Sequence, residues 1–271
     1  MYNVKSIVYP NGDIQVRRYS KALVQREKNE YEENDNLEIS PFDGRLVRVV
    51  DDFDKVRQKK HHASEEENRT RSFNRTKQKI YEYARCTKWE KFITLTFNQE
   101  KVDRYDFDEC SRIARKWLNN QRRNAPDLQY LLVPEFHKDG AIHFHGLLAR
   151  TGNMKFVDSG KRTKEKQTIY NMSAWKNGFT TAIDVYNTHG VAKYIGKYIT
   201  KELCELSKGK QRYFVSSNLD EPEKTTFLVE NDEDFNDLLQ TLANSYGVKI
   251  VHESKPRCLG AFVDVDYYEL Q

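Results

Sequence analysis

The segment Pro134-Glu135-Phe136-His137-Lys138-Asp139-Gly140-Ala141-Ile142-His143-Phe144-His145-Gly146-Leu147-Leu148 places turn residues between two apolar runs and predicts a β-hairpin. On its second strand, His143 and His145 stand two residues apart, so both side chains project from one strand face. Two imidazoles on one face can chelate a divalent ion, and Glu135 on the first strand offers an oxygen ligand. His137, two residues beyond Glu135 and on the same strand face, is the alternative third metal ligand.

A second motif follows about fifty residues later, in a predicted helix over His189 to Leu206. It reads Tyr194-Ile195-Gly196-Lys197-Tyr198, and residues four apart lie on one helix face. A phenol with a pKa near 10 is a poor nucleophile unless its attack is assisted. Beside a metal pair, the two tyrosines indicate cleavage of a phosphodiester through a covalent tyrosyl intermediate. The competing interpretation is an amphipathic helix whose tyrosines only pack in the core.

Charge is unevenly distributed along the 271 residues. Residues 220–271 carry twelve acidic and four basic side chains, a net charge of −8, so the preceding part carries +12. Lys and Arg neutralise phosphates and supply most sequence-independent affinity for nucleic acids. The basic body therefore predicts a polyanion binder with an acidic C-terminal region.

Neither a membrane span nor a signal peptide is supported, because no run of eighteen apolar residues and no charged-then-apolar N-terminus is present. The four cysteines are scattered and form no CxxC pair, which is typical of a reducing compartment and argues against a structural zinc site.

Outward from the hairpin, periodicity predicts an α+β order with an antiparallel sheet covered by helices on one face. The predicted strands are Phe92–Phe97, Leu128–Val133, Ala141–Ala149, Phe179–Val185 and Arg212–Val215, and the other predicted helices are Arg69–Arg85 and Asp106–Arg123. The basic, polar segment Gly152–Gln167 is predicted to be an exposed loop. We divide the chain into an N-terminal hairpin with a polar extension (1–68), a central domain (69–219) and an acidic region (220–271).

Three blocks resemble, in order, those of the HUH endonuclease superfamily, named for its His-hydrophobic-His pair. They are Phe92-Ile-Thr-Leu-Thr-Phe97, His143-Phe144-His145 and the two-tyrosine block from Tyr194 to Tyr198. Within that superfamily, residues 90–215 are similar to rolling-circle replication initiators of phages and plasmids, of the gene A and gene II type. Glu135, eight residues before His143, matches the acidic ligand of such initiators. The order differs from that of relaxases, which usually place their tyrosine near the N-terminus.

The resemblance implies a ferredoxin-like HUH fold and a nicking enzyme of the bacterial host cytoplasm. His143, His145 and Glu135 would bind Mg²⁺ or Mn²⁺, and Tyr194 and Tyr198 would attack single-stranded or hairpin origin DNA with Lys197 stabilising phosphate charge. Lys193 and Lys201 would line the DNA path. The product, a 5′-phosphotyrosine, leaves a 3′-hydroxyl that can prime a host polymerase. Because Gly190 to Lys197 does not have P-loop spacing, strand separation falls to a host helicase or to supercoiling.

Two further hypotheses remain open. A transposase of the same superfamily would share every catalytic residue, and only the flanking DNA would separate the two. A non-catalytic, basic nucleic-acid-binding protein belongs to another class, and metal-dependent nicking of a supercoiled plasmid distinguishes it from both enzymes.

Overall fold

The computed structural model describes residues 1–23, 37–39, 46–48, 65–200, 203, 211–255 and 263–271. The strands within these residues are β1 (Tyr2–Val8), β2 (Ile14–Leu23), β3 (Leu37–Ile39), β4 (Leu46–Arg48), β5 (Lys91–Thr96), β6 (Gln129–Phe136), β7 (Ile142–Ala149), β8 (Phe156–Arg162), β9 (Thr168–Met172), β10 (Thr180–Asp184), β11 (Phe214–Val215), β12 (Glu223–Phe227), β13 (Ile250–Ser254) and β14 (Val265–Leu270). The helices are α1 (Glu65–Cys86), α2 (Phe107–Gln121), α3 (Thr188–Ile195) and α4 (Asp232–Tyr246), and a 3₁₀ turn (Gly196–Tyr198) follows α3.

The predicted α+β class with an antiparallel sheet is confirmed. Seven strands form one sheet in the order β11-β6-β7-β5-β10-β9-β8, and every neighbouring pair in it is antiparallel. Most of the predicted polar extension lies outside the described residues, which include only β3, β4 and the start of α1 from it. Among the described helices, none combines the length and the apolar character needed to cross a bilayer.

Both faces of the large sheet are covered, although the helices were expected on one face. Strand β7 is central and buries Phe144 and Leu147, which point to opposite sides. Helix α2 packs on the Phe144 side, where the rings of Phe107 and Phe136 stack at 5.9 Å. Helix α3 and the 3₁₀ turn lie on the other side, which we call the histidine face because it carries His143 and His145. A strand buried on both sides needs a layer on each.

Two local predictions were wrong. The segment Gly152–Gln167 contains β8, which pairs with β9 as an exposed hairpin instead of forming a loop. Its strands are mostly solvated, so they lack the apolar alternation by which a half-buried strand is recognised. The predicted helix over His189 to Leu206 is interrupted, because α3 ends at Ile195 and the backbone is extended at Ile199. Residues 201, 202 and 204–210, including Lys201, lie outside the described part of the chain.

A second sheet joins the two distant parts of the sequence, in the order β12-β1-β2-β14-β13. The N-terminal hairpin β1–β2 is flanked by strands of the acidic C-terminal region on both sides. Helix α4 covers this sheet through Phe235 and Leu239, which pack with Val4, Ile14, Val16, Tyr268 and Leu270. The segment boundaries at residues 68 and 219 remain a prediction, but the first and third segments share one hydrophobic core.

Arg85, near the end of α1, connects that helix to the second sheet. Its side chain is 1% exposed, and its guanidinium lies 2.7 Å from Asp13 Oδ2 and 3.1 Å from Glu269 Oε2. The same group donates to the Tyr81 hydroxyl at 2.8 Å and lies 4.4 Å from the Tyr9 ring centroid. One cation therefore compensates an acid from the N-terminal hairpin and an acid from the last strand.

We expect Arg85→Met to lower the free energy of unfolding by about 3–5 kcal/mol, because removing one partner of a buried ion pair leaves an uncompensated charge. Urea unfolding followed by circular dichroism measures this change. Arg162→Met is the matched control: Arg162 pairs with Asp158 in an exposed ion pair on β8, and such pairs contribute only about 0–1 kcal/mol. Equal losses in the two variants would contradict a special role for the buried arginine.

Candidate active site

Three adjacent strands bring the candidate ligands together on the histidine face. In the β6–β7 pairing, Glu135 is directly opposite His143. In the β5–β7 pairing, Thr96 is opposite His143 and Thr94 is opposite His145. Directly opposite residues of an antiparallel pair project to the same side. The face therefore carries two imidazoles, a carboxylate and two hydroxyls within one small area.

Hydrogen bonds fix the orientation of both imidazole rings. Thr94 Oγ1 lies 3.1 Å from His145 Nδ1, and Thr96 Oγ1 lies 3.2 Å from His143 Nδ1. The two Nδ1 atoms are thus engaged by strand β5 in the same manner. A ring whose Nδ1–H donates to its threonine keeps the Nε2 lone pair free for another partner. At His145 the other tautomer applies: Nε2 lies 2.7 Å from Glu135 Oε2, and because a carboxylate only accepts, Nε2–H donates to it while Nδ1 accepts from the Thr94 hydroxyl.

Burial keeps the two histidines neutral. Desolvation, followed by the neighbouring His137 and His145, lowers the pKa of His143 to about 4. Desolvation also lowers the pKa of His145, against the opposing effect of Glu135. Neutral imidazole is the form that binds metal ions. Both rings are therefore in the metal-binding protonation state at neutral pH.

His137 remains close to the same cluster. Its ring stacks on that of His143, with centroids 3.7 Å apart, and its Nε2 lies 3.7 Å from Glu135 Oε2. Among the described residues, no group of three or more His, Cys, Asp or Glu side chains is arranged to hold a metal ion. Glu135 makes the closer contact with the histidine pair, and His137 stays the alternative third ligand.

The two tyrosines reach this cluster from α3 and the 3₁₀ turn. Asn187 begins the helix as its N-cap, since its side chain accepts from the Gly190 amide at 2.9 Å. Tyr198 then lies flat on His145, with ring centroids 3.7 Å apart and an interplanar angle of 12°. Its hydroxyl donates to the Tyr194 hydroxyl at 2.8 Å. Residues 53 positions apart in the sequence are thus in direct contact.

The environments of the two phenols differ. Tyr198 is half-buried, and desolvation together with its bond to Tyr194 raises its pKa above the ordinary tyrosine value. Tyr194 is 43% exposed, and its ring meets Phe92 edge-on at 5.3 Å. Lys197 is exposed, with its Nζ 5.2 Å from the Tyr194 ring centroid. Tyr194 is thus the phenol open to solvent, next to a cation, while Tyr198 contacts the histidine.

Three residues of the site, Thr94, Thr96 and Phe92, had no role predicted from the sequence. All three alternate along Phe92-Ile-Thr-Leu-Thr-Phe97 and share the histidine face, where Phe92 lies beside both tyrosines. The alternation of these residues in the sequence indicated that they share one face of the strand. The sequence did not indicate that β5 pairs with β7 or in which register, because spacing alone does not specify strand pairing.

Comparisons with known proteins agree with this assembly of residues. Residues 90–203 match the family model of replication-associated proteins of the ORF2 and gene II protein type. The matched segment contains every candidate site residue and most of the large sheet, and the expected resemblance to replication initiators of this type is confirmed. Searches of curated proteins and of solved structures found no significant match.

Proposed function

From the similarity to replication-associated proteins, we propose that this chain initiates rolling-circle replication by nicking single-stranded origin DNA with a tyrosine nucleophile. The observation that carries this proposal is the stacking of Tyr198 on His145 at 3.7 Å. This stack, together with the hydrogen bond between the two hydroxyls, places both phenolic groups beside the candidate metal ligands.

The donor atoms of the cluster are of the types that bind divalent ions, although the described side chains are not arranged as a closed metal site. Two donor atoms that bind one ion at about 2.1 Å and at a right angle lie about 3 Å apart. His145 Nε2 and Glu135 Oε2 are 2.7 Å apart, so binding one ion through both atoms would replace the hydrogen bond between them. His143, His145 and Glu135 would hold Mg²⁺ or Mn²⁺, a ligand set of mixed nitrogen and oxygen that suits Mn²⁺ well. When bound, the ion supplies positive charge to a nonbridging phosphate oxygen and orients the phosphate.

Tyrosine attack then proceeds by exchange of one phosphate ester for another. The phenolic oxygen loses its proton and forms a bond to phosphorus, while the bond from phosphorus to the 3′ oxygen breaks. The 3′ oxygen takes up a proton. The products are a 5′-phosphotyrosine and a free 3′-hydroxyl. The reverse attack by a 3′-hydroxyl rejoins a strand. The host would supply the polymerase that extends this end and the helicase that separates the strands.

The contact between the two hydroxyls fixes the orientation of the Tyr198 phenol. Because the pKa of Tyr198 is raised, this phenol stays protonated at neutral pH unless an acceptor takes its proton during attack. The Tyr194 oxygen accepts the hydrogen bond from Tyr198, but a neutral phenol takes up a proton only if it releases its own to another acceptor at the same time. Lys197, beside the Tyr194 ring, is placed to offset negative charge on the phosphate.

The proposal is tested by incubating the protein with a 5′-unlabelled, 3′-labelled origin oligonucleotide and Mn²⁺, followed by denaturing electrophoresis. The labelled 3′ fragment should migrate with the protein, because its 5′ phosphate is on tyrosine. Chelation with EDTA should abolish the adduct. Free labelled fragments without any adduct would indicate hydrolysis by water and would reject the initiator mechanism.

The threonines that hold the imidazole rings should tune metal affinity. We expect Thr94→Val and Thr96→Val each to weaken Mn²⁺ binding by about 10- to 100-fold, because valine keeps the shape of threonine but removes the partner of Nδ1. Titration of free Mn²⁺ by electron paramagnetic resonance measures the affinity without requiring DNA. Thr225→Val, on an exposed position of β12, is the matched control. If all three variants bind Mn²⁺ equally, the hydroxyls do not support the ligands.

A further inference from the structure

An apolar cleft of about 310 Å³ opens beside Tyr194 on the histidine face. Its walls include Phe92, Ile183, Val185, Val191 and the rings of Tyr186 and Tyr194. Tyr194 is also a proposed nucleophile, so the cleft and the reacting phenol share one ring. Whatever fills this cleft therefore lies next to the scissile phosphate.

Tyr186 forms the outer wall, and its exposure is unusual for an aromatic side chain. It is 78% exposed, between the end of β10 and the start of α3. Its backbone neighbours are held on both sides: the Val185 amide donates to Glu90 O at 3.0 Å, and Asn187 caps α3. An aromatic ring presented to solvent from a fixed backbone loses little conformational entropy when a flat partner stacks on it.

Charge around the cleft favours a polyanion over a neutral apolar ligand. Lys197 is exposed and its Nζ lies 5.2 Å from the centroid of the Tyr194 ring, which is one wall of the cleft. The one acid that lines the cleft, Asp184, is compensated by an ion pair with Lys91. Aromatic walls next to lysines are the combination by which proteins bind single-stranded nucleic acid, through base stacking and phosphate contacts.

We propose that this cleft receives one unpaired nucleobase of the strand being cut, stacked on Tyr186, while Lys197 contacts an adjoining phosphate. The inference rests on the proposed function for the identity of the strand. A base inside a duplex is stacked and paired on both edges, so it has to leave the helix to enter the cleft. The cleft thereby makes the site selective for single-stranded over double-stranded DNA.

The test measures binding, separately from chemistry. A fluorescein-labelled oligo(dT) of about 20 nucleotides, longer than the ~4–16 nucleotides that single-stranded sites cover, is titrated with protein in EDTA, and anisotropy gives the Kd. We expect Tyr186→Ala to raise the Kd by about 5- to 100-fold, the range that loss of one stacked base produces. Tyr186→Phe, which keeps the ring, should bind within about twofold of the unmodified protein.

Two controls define what the result means. Tyr246→Ala removes an exposed tyrosine at the end of α4, 47% exposed and far along the chain from the cleft, and should leave the Kd unchanged. A labelled duplex of the same length should bind the protein and Tyr186→Ala equally. Equal binding of oligo(dT) by Tyr186→Ala and the unmodified protein overturns the base site, even if the covalent adduct still forms. The converse result is that the unmodified protein forms no adduct while Tyr186→Ala still binds oligo(dT) more weakly than Tyr186→Phe. That result would reject the proposed chemistry and retain the base site.

Discussion

Replacing Tyr194 and Tyr198 together with phenylalanine should eliminate the covalent protein–DNA adduct while DNA binding persists. The double variant keeps both rings, so the stack on His145 and the contacts with Phe92 are retained. It loses only the two hydroxyls and the 2.8 Å bond between them. Because both phenolic oxygens that lie at the histidine pair are removed, we expect adduct formation to fall below detection.

The single variants separate the two phenols. Each is expected to reduce the adduct, since the loss of either hydroxyl removes a nucleophile or its hydrogen-bond partner. Peptide mapping of the adduct in each single variant identifies the residue that carries DNA. Tyr246→Phe, on an exposed tyrosine of α4, is the control and should react normally. An adduct that survives in the double variant would place the nucleophile elsewhere and leave the tyrosines with a packing role.

Loss of the histidine pair should have an effect of similar size. We expect the double change His143→Ala and His145→Ala to reduce Mn²⁺-dependent nicking by at least about 10²- to 10³-fold, because removal of a group that stabilises transition-state charge has this cost. The measurement is the rate of conversion of supercoiled plasmid to open circles, alongside Mn²⁺ affinity. His252→Ala, on an exposed position of β13, is the matched control.

Stability must be followed in the same experiment, because His145 is 8% exposed and alanine leaves Thr94 without its partner. Circular dichroism at the assay temperature shows whether the double variant is folded. A folded double variant that nicks with Mn²⁺ at the rate of the unmodified protein would exclude these histidines as metal ligands. In that outcome the cluster would be a hydrogen-bonded part of the core.

The central sheet was predictable because its strands follow simple patterns. His143, Phe144 and His145 alternate as a strand must, and Lys138-Asp139-Gly140 is a turn, with Gly140 at a positive φ of 83°. The proximity of the tyrosines to the histidines followed from the resemblance rather than from spacing, because no local rule brings together residues fifty positions apart. The stack of Tyr198 on His145 depends on the helix ending at Ile195, and nothing in the local periodicity indicated that end.

The C-terminal region illustrates what composition does not reveal. Its net charge of −8 indicated an acidic region set apart from the basic body. The acids instead lie largely on the outer surface of α4 and the sheet, while Leu270 is fully buried and Glu269 pairs with Arg85. Net charge is determined mainly by the side chains that face solvent. It therefore does not show whether the opposite face of the same strand or helix is buried. The pairing of β2 with β14 also could not be predicted from local sequence patterns, because the two strands are about 250 positions apart.

The pairing of β2 with β14 also dictates an order of events during synthesis. Gln15 and Glu269, hydrogen-bonded to each other, are separated by 254 positions, so the hairpin β1–β2 leaves the ribosome long before its partner strand exists. The segment that carries both histidines and both tyrosines is translated in between. Translation at roughly 5–20 residues per second separates the two strands by about 10–50 s. The segment with the candidate active site therefore emerges before the second sheet can close, and a ribosome that stalls ahead of β14 leaves the edge of β2 unpaired.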